Sequence, residues 1–155
     1  MLAVLGTYGT VWRARDKRTN EIVALKKIRM MKDKGGFPLT SIREIQILKS
    51  LKHPNIVMLH DISVARRTDG VFLVFEYCEH DLAGIIDKLN RPFNEGQIKR
   101  MLLQLLSAIA YLHRNFIMHR DLKLSNLLMN NQGHRLYITR AIRAIIRAIR
   151  AIRVI

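Results

Sequence analysis

A second cysteine is missing. Cys78 stands alone among 155 residues, so the chain forms no internal disulfide and its cysteine usage fits a reducing intracellular compartment. Zinc-ligand spacing is missing as well, because the six histidines are scattered, which leaves a cage of protein ligands unsupported. The opening "MLAVLGTYG" lacks a basic segment and its apolar run stops at Gly6, so it reads as neither a secretory signal nor a membrane span. Acid is absent from residues 134–155, which hold six arginines; the remaining 133 positions carry 21 basic against 12 acidic residues. A moderately basic body suits an acidic or phosphate-bearing ligand without demanding nucleic acid. What is present is globular in character. The apolar share is 49% and the charged share 25%, and the length allows one medium domain or part of a larger one.

From Val11 to Arg29 the pattern predicts a strand, the polar turn "DKRTN" and a second strand, "EIVALKKI". "MMKDKGGFP" is a loop, broken by Gly35, Gly36 and Pro38. In "LTSIREIQILKSL" apolar residues recur at Leu39, Ile42, Ile45, Leu48 and Leu51, which predicts a helix capped by Thr40 or Ser41. "HPN" is a turn, and "IVMLHDISV" and "VFLVFEY" are two further strands joined by "ARRTDG". "DLAGIIDKL" is a short helix with Asp81 as its cap. "NEGQIKRMLLQLLSAIAYLHR" is a long amphipathic helix, with Ile98, Met101, Leu102, Leu105, Ile109 and Leu112 as its expected buried face. Strands followed by helices indicate an α+β lobe joined to a helical one. After Gly133 the vocabulary changes to "RAIRAIIRAIRAIR", a near-tandem three-residue unit.

Several stretches carry groups suited to phosphoryl transfer, which needs positioned phosphates, neutralised charge and an acceptor hydroxyl in line. "LGTYGTV" (5–11) sets Gly6 and Gly9 three apart between strands, where backbone N–H groups can approach phosphates without a Cβ in the way. "VALKK" (23–27) places Lys26 on the next strand but one, and "PLTSIRE" (38–44) brings Glu44 onto the helix, where a carboxylate can hold that ammonium toward phosphates. "HRDLKLSN" (119–126) offers Asp121 to take up a hydroxyl proton, Lys123 to meet the terminal phosphate and Asn126 to ligate Mg²⁺.

With these motifs the chain resembles the eukaryotic protein kinases. "GFPLTSIREIQILKSLKHPNIV", "FLVFEYCEHDLAGII" and "YLHRNFIMHRDLKLSNLLM" are similar to the cyclin-dependent kinases, in particular their transcription-associated branch. The resemblance covers residues 5–133, and the Lys after "HRDL" is similar to the serine/threonine class. It implies an α+β fold: an N-terminal lobe with a five-stranded antiparallel sheet and one helix over 1–78, the start of an incomplete helical C-terminal lobe over 79–133, and a basic tail over 134–155. It implies ATP and Mg²⁺ as cofactors, a protein substrate offering Ser or Thr, a cyclin as partner, and a place in the nucleus and/or cytoplasm. ATP would meet Leu5, Gly6, Thr7, Tyr8, Gly9, Val11, Ala24, Lys26 and Glu44, with Phe75 the gatekeeper and Glu76, Tyr77 and Cys78 the adenine hinge. Pro38, Ile42 and Arg43 would lie where a cyclin grips. Thr7 and Tyr8 match sites of inhibitory phosphorylation, where an added phosphate repels those of ATP. His119 reads as a structural brace of its loop rather than a base.

The family pattern continues from "SNLLM" through a turn and a strand into Asp-Phe-Gly, whose Asp binds Mg²⁺. Here "NNQGHRLYIT" runs into "RAIRAI", and Asp-Phe-Gly occurs nowhere in the chain. The expectation is therefore a catalytically impaired chain of kinase ancestry; the alternative is a non-catalytic cyclin- or ATP-binding module. In the tail Arg140, Arg143, Arg147 and Arg150 gather on one side of a helical projection opposite the isoleucines, which predicts a basic amphipathic helix from about residue 139. Such a helix could touch an anionic membrane or nucleic acid. A low-complexity extension is the preferred reading.

Overall fold

The computed structural model describes residues 2–8, 11–28, 39–64, 70–131, 133 and 135–139, and of residues 2–8, 39–41, 43 and 44 the backbone alone. The predicted basic helix thus lies outside the described residues. The chain divides into two compact units, the first comprising Met1–Leu51 with Met58–Tyr77 and the second Lys52–Val57 with Cys78–Ile155.

In the first unit five antiparallel strands form one sheet: β1 (Leu2–Tyr8), β2 (Val11–Asp16), β3 (Ile22–Lys27), β4 (Leu59–Val64) and β5 (Val71–Glu76), in the order β1-β2-β3-β5-β4. The β2–β3 turn follows from local chemistry. Asp16 accepts the Arg18 N–H on its side chain at 2.8 Å and the Asn20 N–H on its carbonyl at 2.7 Å, while Asn20 takes a positive φ of 61°, which asparagine tolerates. Alternation along the strands builds two faces. One carries the core of Ala14, Val23, Leu25 and Val74, against which Trp12 and Phe72 pack edge to face at 5.8 Å. A helix, α1 (Leu39–Ser50), buries Ile45 and Leu48. Because α1 begins at Leu39, Thr40 and Ser41 fall inside its first turn, so neither holds the capping position expected of them.

The second unit has a small sheet, β6 (His80–Asp81), β7 (Leu127–Met129) and β8 (Leu136–Ile138), with two helices, α2 (Leu82–Lys88) and α3 (Glu95–Arg114). Asp81 caps α2, accepting the Gly84 N–H at 2.8 Å. Asn94 and Gln97 form a reciprocal capping box at the start of α3. The far end of α3 closes with Ile117 N–H to Leu112 O and Phe116 N–H to His113 O, both at 2.9 Å, and Phe116 has a φ of 57°. This is the Schellman arrangement with phenylalanine in the left-handed position that glycine prefers.

Two expectations are corrected here. The strand expected from Ile56 begins at Leu59; Ile56 instead bridges to Ile138, and Asn55 donates from Nδ2 to Leu136 O and Gln104 Oε1, both at 2.8 Å. Those bonds give Lys52–Val57 to the second unit. Of the face expected on α3, Leu112 is buried with Ala108, and Met101, Leu105 and Ile109 are half-buried, whereas Ile98 (43% exposed) and Leu102 (49%) face solvent with Leu103 and Leu106. The side turned to β8 is set by Gln104, whose Oε1 accepts the Leu136 N–H at 2.9 Å, and that turns the apolar stripe partly outward.

Candidate functional site

The first unit arranges its expected nucleotide residues by strand register. Val11 stands opposite Lys26, and Ala24 opposite Phe75, so these four positions share one face of the sheet. It is the face opposite the core of Ala14, Val23, Leu25 and Val74. All four are half-buried. On β1, Tyr8 pairs with Val11 and Gly6 with Arg13, and a register shift between Val4 and Gly6 leaves Leu5 as the bulged position. Thr7 lies between them, opposite Trp12. Gly9 and Pro38 lie outside the described residues, and Glu44 and Arg43 are placed on α1 by backbone alone, so the expected Lys26–Glu44 pair has no described geometry. Ile42, on the same helix, is 40% exposed. The Glu76 N–H is committed to Met58 O at 3.0 Å, and the Arg13 guanidinium sits 5.4 Å from the Tyr77 ring centroid. Cys78 is half-buried.

In the second unit, residues 119–126 form a loop that ends in a short 3-10 turn at Leu124–Asn126, directly before β7. Asn126 Nδ2 donates both hydrogens to Asp121, to the backbone oxygen at 2.6 Å and to Oδ2 at 2.9 Å. The Lys123 ammonium lies 3.5 Å from Asp121 Oδ1, with both side chains about half exposed. The Asn126 hydrogen bond first, and the nearby Lys123 charge after it, hold the Asp121 carboxyl below its ordinary range despite the opposing effect of burial. Asp121 is thus ionised at neutral pH and able to accept a proton. The ion pair itself adds little stability at this exposure.

A brace holds that loop to β8. His119 is buried, its Nε2 lies 2.7 Å from the Thr139 carbonyl oxygen, and its Nδ1 accepts the Asp121 N–H at 3.3 Å. A carbonyl only accepts, so Nε2 carries the proton and the ring is the neutral Nε2–H tautomer. Thr139 adds an N–H bond (2.9 Å) and an Oγ1–H bond (3.1 Å) to Asn126 O. Between them Arg120 takes a φ of 62°, an uncommon conformation for an arginine, held by bonded neighbours on both sides. Thr139 was not singled out by sequence reasoning. Its one signal was its place at the end of "LYIT", before the break in vocabulary.

For a divalent cation, these residues offer the Asn126 Oδ1, which remains as the side chain's acceptor once both amide hydrogens are engaged. Among the described residues no group of three or more His, Cys, Asp or Glu could hold a metal ion. Mg²⁺ usually takes one or two carboxylates together with substrate phosphates. The fit is therefore partial: an amide oxygen is in place, and among the described residues the one carboxylate beside it is Asp121, which is held by the Asn126 Nδ2.

The protein kinase domain family matches residues 5–142. The chain belongs to that family. Cyclin-dependent kinase 10 of Homo sapiens is 56% identical over 128 residues, which are 83% of this chain and 36% of that protein. Cyclin-dependent kinase G-2 of Oryza sativa subsp. indica is 54% identical over 128 residues, 83% of this chain and 18% of its own length. The crystal structure of the yeast RNA Pol II CTD kinase CTDK-1 complex contains a chain superposing with a TM-score of 0.76 at 36% identity, over 90% of this chain and 44% of that one. The chain therefore spans about a third or less of these two curated relatives. The kinase-domain match runs through Thr139 and ends at Ile142, in the stretch where the carboxylate-bearing segment was expected.

Proposed function

We propose that this kinase domain is of the cyclin-dependent serine/threonine type, that it binds ATP, and that phosphoryl transfer by the chain as it stands is strongly impaired. The observation that carries this reading is the cluster at 119–126. Asp121, Lys123 and Asn126 lie within hydrogen-bonding or ion-pairing distance of one another, braced through His119 to Thr139, and Arg140-Ala141-Ile142 follows where Asp-Phe-Gly is expected. Asp121 is assigned as the proton acceptor for a Ser or Thr hydroxyl, Lys123 as the contact to the transferring phosphate and Asn126 as a Mg²⁺ ligand. Val11, Ala24, Lys26 and Phe75 are assigned to the nucleotide on their common sheet face, with the strand-end residues Glu76, Tyr77 and Cys78 at the base. Mg²⁺, when bound, would neutralise charge on the ATP phosphates. An arginine following Thr139 brings charge of the same sign as the metal. Removing one preorganised electrostatic contact costs about a hundred- to a thousandfold in rate, and loss of a metal carboxylate should cost no less. The test is transfer of labelled phosphate from ATP to a Ser-containing peptide. We expect background transfer, indistinguishable from Asp121→Asn. Robust transfer abolished by Asp121→Asn would refute the impairment.

A second reading rests on α1, which forms as a helix and leaves Ile42 exposed to solvent. On it the chain engages a cyclin without catalysis, as the names of its relatives suggest. Cyclin capture that persists in Lys26→Met and fails in Ile42→Glu is the expected result; no capture by the unaltered chain would remove this reading.

A further inference from the structure

We propose that the second unit holds a binding site for a small amphipathic carboxylate between α3 and the β7–β8 hairpin. A cavity of about 330 Å³ lies there, within the roughly 300–1,000 Å³ range of small-molecule pockets. Its walls are apolar, made by Phe93, Met101, Met129 and Leu136. The polar groups lining it are Gln97, Arg100 and Gln104, one turn apart or less along α3.

The chemistry of those three groups selects the ligand. Gln104 Oε1 is occupied, accepting from Asn55 Nδ2 and Leu136 N–H. Gln97 Oε1 is occupied too, accepting the Asn94 N–H at 2.9 Å in the capping box, which fixes the amide so that Nε2 remains as its donor. The Arg100 guanidinium makes no ion pair among the described residues. The uncommitted capacity at the rim is thus donor capacity, beside a positive charge. A carboxylate matches it: its two oxygens can take the guanidinium fork, with a lone pair left for Gln97 Nε2. A phosphate would carry a further oxygen toward Phe93, Met101, Met129 and Leu136, whose side chains among the described lining residues offer it no donor. The chemical class is therefore an aryl or short alkyl chain with one terminal carboxylate, the chain lying against the methionines and the head at Arg100. No residue of the 119–126 cluster lines this cavity.

The probe is para-fluorophenylbutyrate, followed by fluorine NMR on the full chain beside the matching primary amide. Saturable binding of the acid is expected, with the amide at least about tenfold weaker. Arg100→Gln should weaken the acid by a similar factor. Gln97→Glu keeps an oxygen for the capping box but replaces the donor with a second carboxylate, and should abolish binding with the α3 circular dichroism unchanged. Leu103→Glu, on the exposed strip of α3, should leave binding as it was. Equal affinity for acid and amide, retention in Arg100→Gln, loss in Leu103→Glu, or no saturable binding up to millimolar probe would each overturn the proposal.

Discussion

Asp121 shows how much a single amide can set. Asn126 gives one Nδ2 hydrogen to the Asp121 backbone oxygen and the other to its carboxylate, and the bond to the carboxylate is the first cause of its lowered pKa. Asn126→Ala should therefore raise the Asp121 pKa toward the ordinary carboxylate value, read by carbon-detected NMR titration; an unchanged value would mean that Lys123 dominates instead. The sign for stability follows from linkage. A carboxyl held low in the folded chain stabilises above its unfolded pKa, and that contribution is lost as pH falls through the depressed folded value. His53 is displaced in the same direction for another reason, burial first and the Arg114 charge second, so its protonation on acidification works against the fold. His119 is the structural counterpart. His119→Ala would leave the Thr139 carbonyl and the Asp121 N–H without their partner at a site where the histidine is 5% exposed. The expected loss is about 1–3 kcal/mol in urea unfolding, and a neutral result would show that water replaces the ring there.

At the scale of elements, α3 joins a well-capped start to an end that works against residue preference. The capping box at Asn94 and Gln97 is read directly from "NEGQ", whereas the Schellman closure at Phe116 could not be, because the glycine that normally announces it is absent. A left-handed non-glycine residue costs about 1–2 kcal/mol, and Phe116 is 91% exposed and so gains little from packing. Phe116→Gly should stabilise the second unit by about 1 kcal/mol in chemical denaturation; destabilisation would show that the ring packs in solution. Periodicity located α3 closely and most of its covered side, with Leu112 buried and Met101, Leu105 and Ile109 half-buried, but not the exposure of Ile98 and Leu102, because 3.6-residue spacing identifies an apolar stripe and not the neighbour that covers it. Asn55 and Ile56 were hidden for a related reason. Their partners, Leu136 and Ile138, lie some eighty residues along the chain, and "HPN" reads locally as no more than a turn. The order of the first unit's strands and of α2 and α3 was legible because each is bounded by residues that break the other's period, whereas the short strands β6, β7 and β8 were not assigned from the sequence.

For the whole chain, the match to the protein kinase domain family runs over residues 5–142, and Asp-Phe-Gly occurs nowhere in the sequence. On the reading proposed here, the loop that receives the substrate hydroxyl is built and braced, while the carboxylate that should share Mg²⁺ with Asn126 is replaced by Arg140. The apolar strip of Ile98, Leu102, Leu103 and Leu106 belongs to the same scale, since contiguous exposed apolar surface favours association. The measurement that tests the central claim most directly is the affinity of the chain for a fluorescent ATP analogue with and without millimolar Mg²⁺, beside Arg140→Asp. The account predicts that Mg²⁺ changes the affinity of the unaltered chain little and tightens that of Arg140→Asp. A strong Mg²⁺ dependence in the unaltered chain, lost in Asn126→Ala, would contradict it.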